Sequence, residues 1–414
     1  MEKWMQYPAQ AVIAAKAALL ARMSDGTQRM QRLDQWLAEE VAAVKAEGGD
    51  AIPQLDYRAV TAGAVSEAEK KRIRRRGCVI LRNVFDRQQA MDWNEAIGCY
   101  IEDNDYYRKA EGKAGLDQYF SALMSGRPQI FGLYWSQPQM QARQHENMAA
   151  TRRFLNHLWD YTRADGSVEF DPDRQCNYAD RVRRREPGDK SLGLSAHCDG
   201  GSIERWCDPH FQQVYHDVFF GDVDAYDPFR AAGRTATQEI PSPAVCSVFR
   251  TFQGWTALTA QGPGDGTLRL IPIARSMAWM LLRALQPDVV LDDLCGAQAG
   301  RALGAYPRWH ESLLAAEVSI PRVEPGDTVW WHPDVIHAVE GEHRGRAYSN
   351  VIYIGAAPWC EKNARFLSRQ AESFLAGRSS PDFAPEDYEV DFKNRALPEH
   401  LSALGKQQMG LQAW

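Results

Sequence analysis

The residues best suited to chemistry lie near the middle of the chain, in Leu194-Ser195-Ala196-His197-Cys198-Asp199-Gly200-Gly201. This stretch reads as the end of a β-strand running into a glycine loop. Alternate side chains of a strand share a face, so His197 and Asp199 point the same way and Cys198 points away. One imidazole and one carboxylate on a common face are two of the three ligands of a 2-His-1-carboxylate facial triad. That arrangement holds non-haem Fe(II) and leaves coordination positions open. The third ligand is then a distant histidine on another strand. Alone the tripeptide is a weak signal, because a chain of this length carries about one His-x-Asp by chance. A second copy is present in His332-Pro333-Asp334. Its central proline disfavours pairing inside a central strand, and little chain follows to supply another ligand.

Such a site needs strands to position it, and the texture of the chain supplies them from about residue 176 onward. Strand-like runs bounded by Gly, Pro and Asp fall at 177–185, 191–197, 244–258, 267–273, 327–331, 336–339 and 348–354. Several short strands separated by turn signals predict an antiparallel sandwich or barrel. Two insertions interrupt the pattern: 205–235, rich in Asp and aromatics, and 274–312, which reads as helical through Met277, Trp279, Met280, Leu282 and Leu285. Upstream, 9–48 reads as two helices, with Leu33, Trp36, Leu37 and Val41 on one face of the second. The break between them falls at Ser24-Asp25-Gly26-Thr27. A basic helix over 67–76 stops at Gly77, a strand follows over 78–85, and Asp86 caps a further helix through about Gly98. The region 100–175 is mixed; a helix is expected over 143–163, and the aromatic stretch Gly132-Leu133-Tyr134-Trp135 is placed at the border of a pocket. A last helix is expected over 361–375, followed by a Pro- and charge-rich tail. No internal repeat is present.

Composition narrows the classes. The 414 residues are 44% hydrophobic and 25% charged, as in an ordinary soluble globular protein. The net charge of −6 gives no global electrostatic case for nucleic acid or an anionic membrane surface. The run Lys70-Lys71-Arg72-Ile73-Arg74-Arg75-Arg76 reads as a solvated helix face rather than a nucleic-acid patch. The first residues, Met1 to Gln6, lack a basic region followed by an apolar signal core, and no run approaches the ~18 apolar residues of a membrane span. The eight cysteines are scattered, with no Cys-x-x-Cys pair. Reduced thiols in a cytoplasmic protein are therefore expected, with neither a zinc ribbon nor a disulfide scaffold.

The order of motifs carries a more specific resemblance. His197-Cys198-Asp199 is followed by a strand ending Trp255-Thr256-Ala257-Leu258-Thr259, then by Gly266-Thr267-Leu268-Arg269-Leu270-Ile271-Pro272, then by Pro325-Gly326-Asp327 and a distal histidine. This order resembles the Fe(II)/2-oxoglutarate-dependent oxygenase superfamily, nearest to its phytanoyl-CoA hydroxylase-like branch. The stretch 76–84 resembles that branch's opening strand. More closely, 194–206, Phe252-Gln253-Gly254-Trp255 and Asn350-Val351-Ile352-Tyr353-Ile354 resemble the YbiU family, over roughly 50–400 of the chain. The superfamily motifs cover 176–358.

The resemblance implies an α+β fold with a double-stranded β-helix, or jelly roll, at its core and helices on its flanks. The domain pattern expected is an N-terminal helical extension over 1–60, the jelly-roll domain with helical insertions over 61–360, and a C-terminal helix and tail over 361–414. It implies His197, Asp199 and His337 as metal ligands, with Fe(II) and 2-oxoglutarate as cofactors and O₂ and a small molecule as substrates. His337 is preferred to His332 because the superfamily places its distal ligand well after the Pro-Gly-Asp strand. The remote carboxylate of 2-oxoglutarate calls for an arginine, which pairs with it bidentately. Arg346 is the candidate, with Arg250 and Arg183 as alternatives. Trp206, Trp255, Trp330 and Trp331 are candidate apolar walls. His210, His216 and His310 are assigned to surface or core. Two other readings of the same residues are a non-catalytic jelly-roll binding protein and a zinc-dependent hydrolase or isomerase.

Overall fold

The structure is a computed structural model that describes residues 8–23, 25–111, 128–189, 195–243 and 245–414. Met1 to Gln6, Ser24, residues 191–194 of the expected strand, including Leu194 of the central motif, and Ala244 lie outside the described residues.

Fourteen strands are named here in chain order. They are β1 Gln54–Asp56, β2 Cys78–Arg82, β3 Ile130–Phe131, β4 Asp171–Cys176, β5 Val182–Arg185, β6 His197–Cys198 and β7 Gln253–Ala257. The remainder are β8 Leu268–Leu270, β9 Leu303–Gly304, β10 Val318–Ser319, β11 Thr328–Trp331, β12 His337–Val339, β13 Ser349–Tyr353 and β14 Ala357–Trp359. They form a seven-stranded sheet in the order β1-β2-β11-β7-β13-β5-β3, a five-stranded sheet in the order β10-β8-β12-β6-β9, and the pair β14-β4. β1 and β2 are parallel, and the other pairings are antiparallel. With its helices, the chain has an α+β architecture.

Both larger sheets contribute to one apolar cluster, with Ile80, Trp255, Val329, Trp331 and Val351 from the first and Leu268 and Leu270 from the second. The strand period decides which tryptophan enters it. Trp331 joins this cluster, while Trp330, one residue earlier, joins a separate one with Trp93, Ile97, Leu155 and Trp159 of the flanking helical region. The Pro325-Gly326-Asp327 turn feeds β11 as its sequence predicts. Asp327 fixes it by accepting from Asn83 N at 2.9 Å, Glu324 N at 2.9 Å and Arg82 Nη1 at 2.7 Å.

The helices hold the sheets from outside. Ala9–Arg22 and Gly26–Glu47 break where the sequence placed the break, and Leu33, Leu37, Val41 and Val44 pack with Met277, Leu281 and Leu282 of Ser276–Arg283. The basic helix Glu67–Arg76 opens on a Ser66/Glu69 capping box and closes at Gly77, whose φ of 68° is left-handed. Its cations keep the solvent exposure expected of them at Lys71, Arg72 and Arg75, and most of them also form ion pairs. Arg72 meets Glu47 at 3.1 Å, Arg75 meets Glu40 at 2.9 Å, buried Arg76 meets Glu40 at 3.2 Å and also Glu47, and Arg74 meets Asp227. No helix among the described residues is long and apolar enough to cross a membrane, and all eight cysteines are free.

Several expected elements are shorter or divided. The run at 177–185 becomes irregular chain leading into β5, and β4 precedes it and pairs with β14 instead. The run at 244–258 narrows to β7, because Phe249 N is bound by Asn363 Oδ1 at 2.8 Å and Thr251 N by Ala356 O at 2.8 Å instead of a continuing strand. The helix expected over 143–163 is two, Gln137–Gln144 and Glu146–Asn156, divided at extended His145. Tyr134 and Trp135 do not border the cavity described below. Their backbone N–H groups donate to the buried Glu389 carboxylate, at 2.6 Å and 3.0 Å.

Candidate metal centre

The site begins with a register. β12 lies between β6 and β8, and His337 stands directly opposite His197 across the β6–β12 pair. Directly opposed residues share a face, and the two ring centroids are 4.3 Å apart. Asp199 follows β6 by one residue on the same face. Cys198 points the other way, into the helical cluster with Trp206 and Leu303. Gly200 and Gly201 then turn the chain with φ of 83° and 95°, and a Cβ on Gly201 would stand 2.7 Å from the Phe211 ring. The glycines are thus required where the strand leaves the site.

His197 Nε2 is 3.8 Å from Asp199 Oδ1, and His337 Nε2 is 3.7 Å from Asp199 Oδ2. One ligand atom from each of the three residues lies within 4.8 Å of the others, close enough to share one ion. The other ring nitrogens are occupied by backbone. Nδ1 of His197 lies 2.6 Å from Ser195 O, and Nδ1 of His337 lies 3.3 Å from Val335 O. With the proton on Nδ1, donated to a carbonyl, each ring turns an unprotonated Nε2 to the common point, which is the usual outer support of a metal-bound histidine. Gln253 Nε2 donates to Asp199 Oδ2 and aims the carboxylate. Burial works to raise the Asp199 pKa, but the imidazoles of His337 and His197, then Arg250 and the Gln253 amide, outweigh it and hold the carboxyl below its usual range. Burial, then the neighbouring His197 ring, lowers the pKa of His337. An ionised carboxylate and a neutral imidazole are the states that bind metal. The donor set therefore fits a divalent ion, and by type it fits Fe(II).

These residues line a cavity whose apolar walls include Leu268, Trp255, Trp331, Val245 and Phe383, with Arg181, Arg183 and Arg250 among its polar walls. Of the four candidate tryptophans, Trp255 and Trp331 line it, and the Trp331 ring sits 5.1 Å from that of His337. Trp206 is buried elsewhere, its Nε1 donating to Leu281 O at 3.0 Å.

The arginine expectations divide. Arg346 is exposed in the irregular connection between β12 and β13 and is not part of the cavity wall. The strand begins only at Ser349, so Arg346 falls before the stretch in which alternation would turn a side chain inward. Arg250 and Arg183 both line the cavity and are 8% and 4% exposed. The second His-x-Asp is elsewhere. His332 Nε2 lies 3.0 Å from Pro228 O, its Nδ1 accepts from Asp334 N at 3.0 Å, and its ring stacks on Trp159 at 4.7 Å. Asp334 pairs with Arg205 at 2.7 Å and Arg234 at 3.0 Å. His210 is exposed and His216 half-exposed, and His310 is buried with Nδ1 accepting from Tyr306 N at 2.9 Å. Gln253 is the polar contact to the triad that the reading of the sequence left without a role, although it lies inside the quoted Phe252-Gln253-Gly254-Trp255 stretch.

The Gig2-like family profile matches residues 8–411. The chain belongs to the Gig2-like family. It is 42% identical to the uncharacterized protein YbiU of Escherichia coli strain K12 over 406 residues, 97% of this chain and 96% of that one. Among solved structures, this Gig2-like chain is similar to the "Putative Oxidoreductase" of Salmonella typhimurium LT2, with 42% identity, a TM-score of 0.92 and 97% of each chain covered. It is also similar to GlcNAc Inducible Gene 2, GIG2, of Candida albicans, with 26% identity and a TM-score of 0.85, covering 100% of this chain and 91% of that one.

Proposed function

We propose that this Gig2-like protein is an oxidoreductase that uses Fe(II), 2-oxoglutarate and O₂ to hydroxylate or desaturate a small molecule. The observation that carries the reading is the triad of His197, Asp199 and His337, with both Nε2 atoms and the carboxylate turned to one point inside a cavity. The strand order supports it. Successive strands β5, β6, β7 and β8 alternate between the two sheets, as do β10, β11, β12 and β13. That alternation, giving β5-β13-β7-β11 against β6-β12-β8-β10, is the pattern of a double-stranded β-helix with its metal at one open end. The oxidoreductase description of the Salmonella relative agrees with the same chemistry. The resemblance of the motif order to the phytanoyl-CoA hydroxylase-like branch supports the same reading.

An Fe(II) ion with three protein ligands has room for a chelating keto acid and for O₂, and it supplies the oxidising chemistry. The chain's own groups do the rest. His197 and His337 present Nε2, and each keeps its proton on Nδ1, donated to the carbonyl of Ser195 or Val335, which fixes the rings. Gln253 holds Asp199 in place. Arg183 takes the remote carboxylate of the cosubstrate. Its guanidinium is buried, its Nε has no partner, and its Nη2 reaches only neutral groups, Gln261 Oε1 at 3.3 Å and Ser349 Oγ at 3.4 Å. Trp255 and Trp331 keep water from the metal. The carboxylate role thereby moves from Arg346 to Arg183.

Anaerobic addition of Fe(II) and 2-oxoglutarate should produce a weak visible charge-transfer band, absent in Asp199→Ala. With O₂ the native protein should release succinate slowly even without substrate. No band and no succinate from folded protein would refute the reading. Zinc in protein purified without chelators, with an activity indifferent to oxygen, would favour a hydrolase or isomerase.

A further inference from the structure

Two guanidiniums stand in the cavity wall without a carboxylate partner, and the cosubstrate uses one. Arg250 is 8% exposed and donates no hydrogen bond to any described group; its guanidinium lies over the Tyr178 ring at 5.5 Å. Other buried arginines outside this cavity each donate to at least one acceptor, although Arg143 Nε and Arg152 Nη2 stay unpartnered. Arg143 and Arg152 donate to backbone carbonyls, and Arg205 and Arg234 pair with Asp334. Within the same cavity Arg181 has its own counter-ion, Asp180 at 3.1 Å. A cation removed from water with no acceptor marks a place built for an anion that arrives from outside.

Position separates this place from the cosubstrate's. Arg183 reaches Gln261 and Ser349 through Nη2, whereas Arg250 lies over Tyr178 and beside Gly355, so the two guanidiniums have different neighbours in the cavity wall. Arg250 also walls a second, adjoining cavity, together with Gly200, Tyr215 and Lys362. Lys362 is held by Glu239 at 2.8 Å, so Arg250 is the uncommitted cation at the junction.

We propose that Arg250 determines substrate specificity, and that the substrate is a small molecule carrying a carboxylate or phosphate, bound through that group to Arg250. Its carbon chain lies toward Trp255 and Trp331, which brings a C–H bond to the open side of the triad. This inference rests on the cosubstrate reading for the role of Arg183, and the seat itself is tested separately.

Calorimetry with butyrate, butyl phosphate and butan-1-ol makes the test. With anaerobic Fe(II)–2-oxoglutarate protein, at least one anion should bind about tenfold or more tighter than the alcohol, as expected for a charge-assisted pair. The tighter anion names the group. Arg250→Gln should abolish that preference and keep 2-oxoglutarate affinity within about threefold, while Arg183→Gln should weaken 2-oxoglutarate about tenfold or more. Arg250→Lys, which retains the charge, should keep part of the preference and guards against a variant that fails to fold. Equal binding of alcohol and anions, persistence of the preference in Arg250→Gln, or loss of 2-oxoglutarate in Arg250→Gln would overturn the proposal. If native protein takes up neither Fe(II) nor 2-oxoglutarate, the cosubstrate reading falls. The seat is then judged in metal-free protein, comparing Arg183→Gln with the Arg183→Gln/Arg250→Gln double variant. Preference for an anion in the first and not in the second supports it, and its absence from the first overturns it.

Discussion

The chain holds the pattern His-x-Asp twice, and the two copies have opposite fates. In the copy at 197–199 each element of the site keeps an unused valence: Nε2 of His197 faces Nε2 of His337 across a carboxylate that remains partly open to the cavity. In the copy at 332–334 everything is spent. Both ring nitrogens of His332 are bound to backbone, and Asp334 is shared by two arginines and the Tyr215 hydroxyl at 3.0 Å. Burial would raise the Asp334 pKa, yet Arg234 and Arg205 drive it far below the usual carboxylate range. The difference teaches that residue type does not distinguish a ligand from a strut. Counting the hydrogen bonds of each ring does.

The comparison breaks most visibly at Asp334. Asp334→Ala leaves two guanidiniums buried and unpaired and should cost about 3–5 kcal/mol of stability in denaturant unfolding. Asp199→Ala should cost far less while erasing metal binding. Comparable losses from the two would dissolve the distinction. Next in size, Gln253→Ala frees the Asp199 carboxylate from its guide and should weaken Fe(II) about 10–100-fold in equilibrium titration. An unchanged affinity would remove Gln253 from the site.

A pH measurement sharpens the other half. Burial lowers the His332 pKa from 6.5 to about 3. Below pH 6.5 the unfolded chain therefore binds a proton that the folded chain refuses, so this contribution is whole above 6.5 and lost progressively as pH falls toward 3. Native stability should fall by about 1.4 kcal/mol per pH unit from this group, and His332→Gln should flatten that slope. An identical slope in the variant would contradict the burial argument. The smallest effect is expected at exposed Arg346, where Arg346→Ala should leave 2-oxoglutarate affinity within about twofold. A tenfold loss would return the carboxylate role to that loop.

Much of this was legible in residues whose neighbours in sequence are also their neighbours in space. The stop at Gly77, the Asp86 cap and the Pro325-Gly326-Asp327 turn are local, and the structure has them where the sequence puts them. The convergence of His197 with His337 came through the resemblance, since no local signal sets a register between strands 140 positions apart. Three things escaped for physical reasons. The face of Arg346 depended on where β13 begins, and a bend moves that start to Ser349. The run at 244–258 is apolar enough for a strand, but Asn363 and Ala356 take its backbone bonds. The aromatic stretch ending at Trp135 is organised by Glu389, about 250 residues away, which burial pushes up to about 7 while the N–H groups of Tyr134 and Trp135 pull the other way.

The central claim is that one ferrous ion sits among His197, Asp199 and His337, and anomalous diffraction at the iron edge, from crystals grown anaerobically with Fe(II), tests it most directly. A single peak within bonding distance of both Nε2 atoms and an Asp199 oxygen is expected, with none near His332. No peak at the triad in iron-loaded crystals, or a peak beside His332 and Asp334 instead, would contradict it.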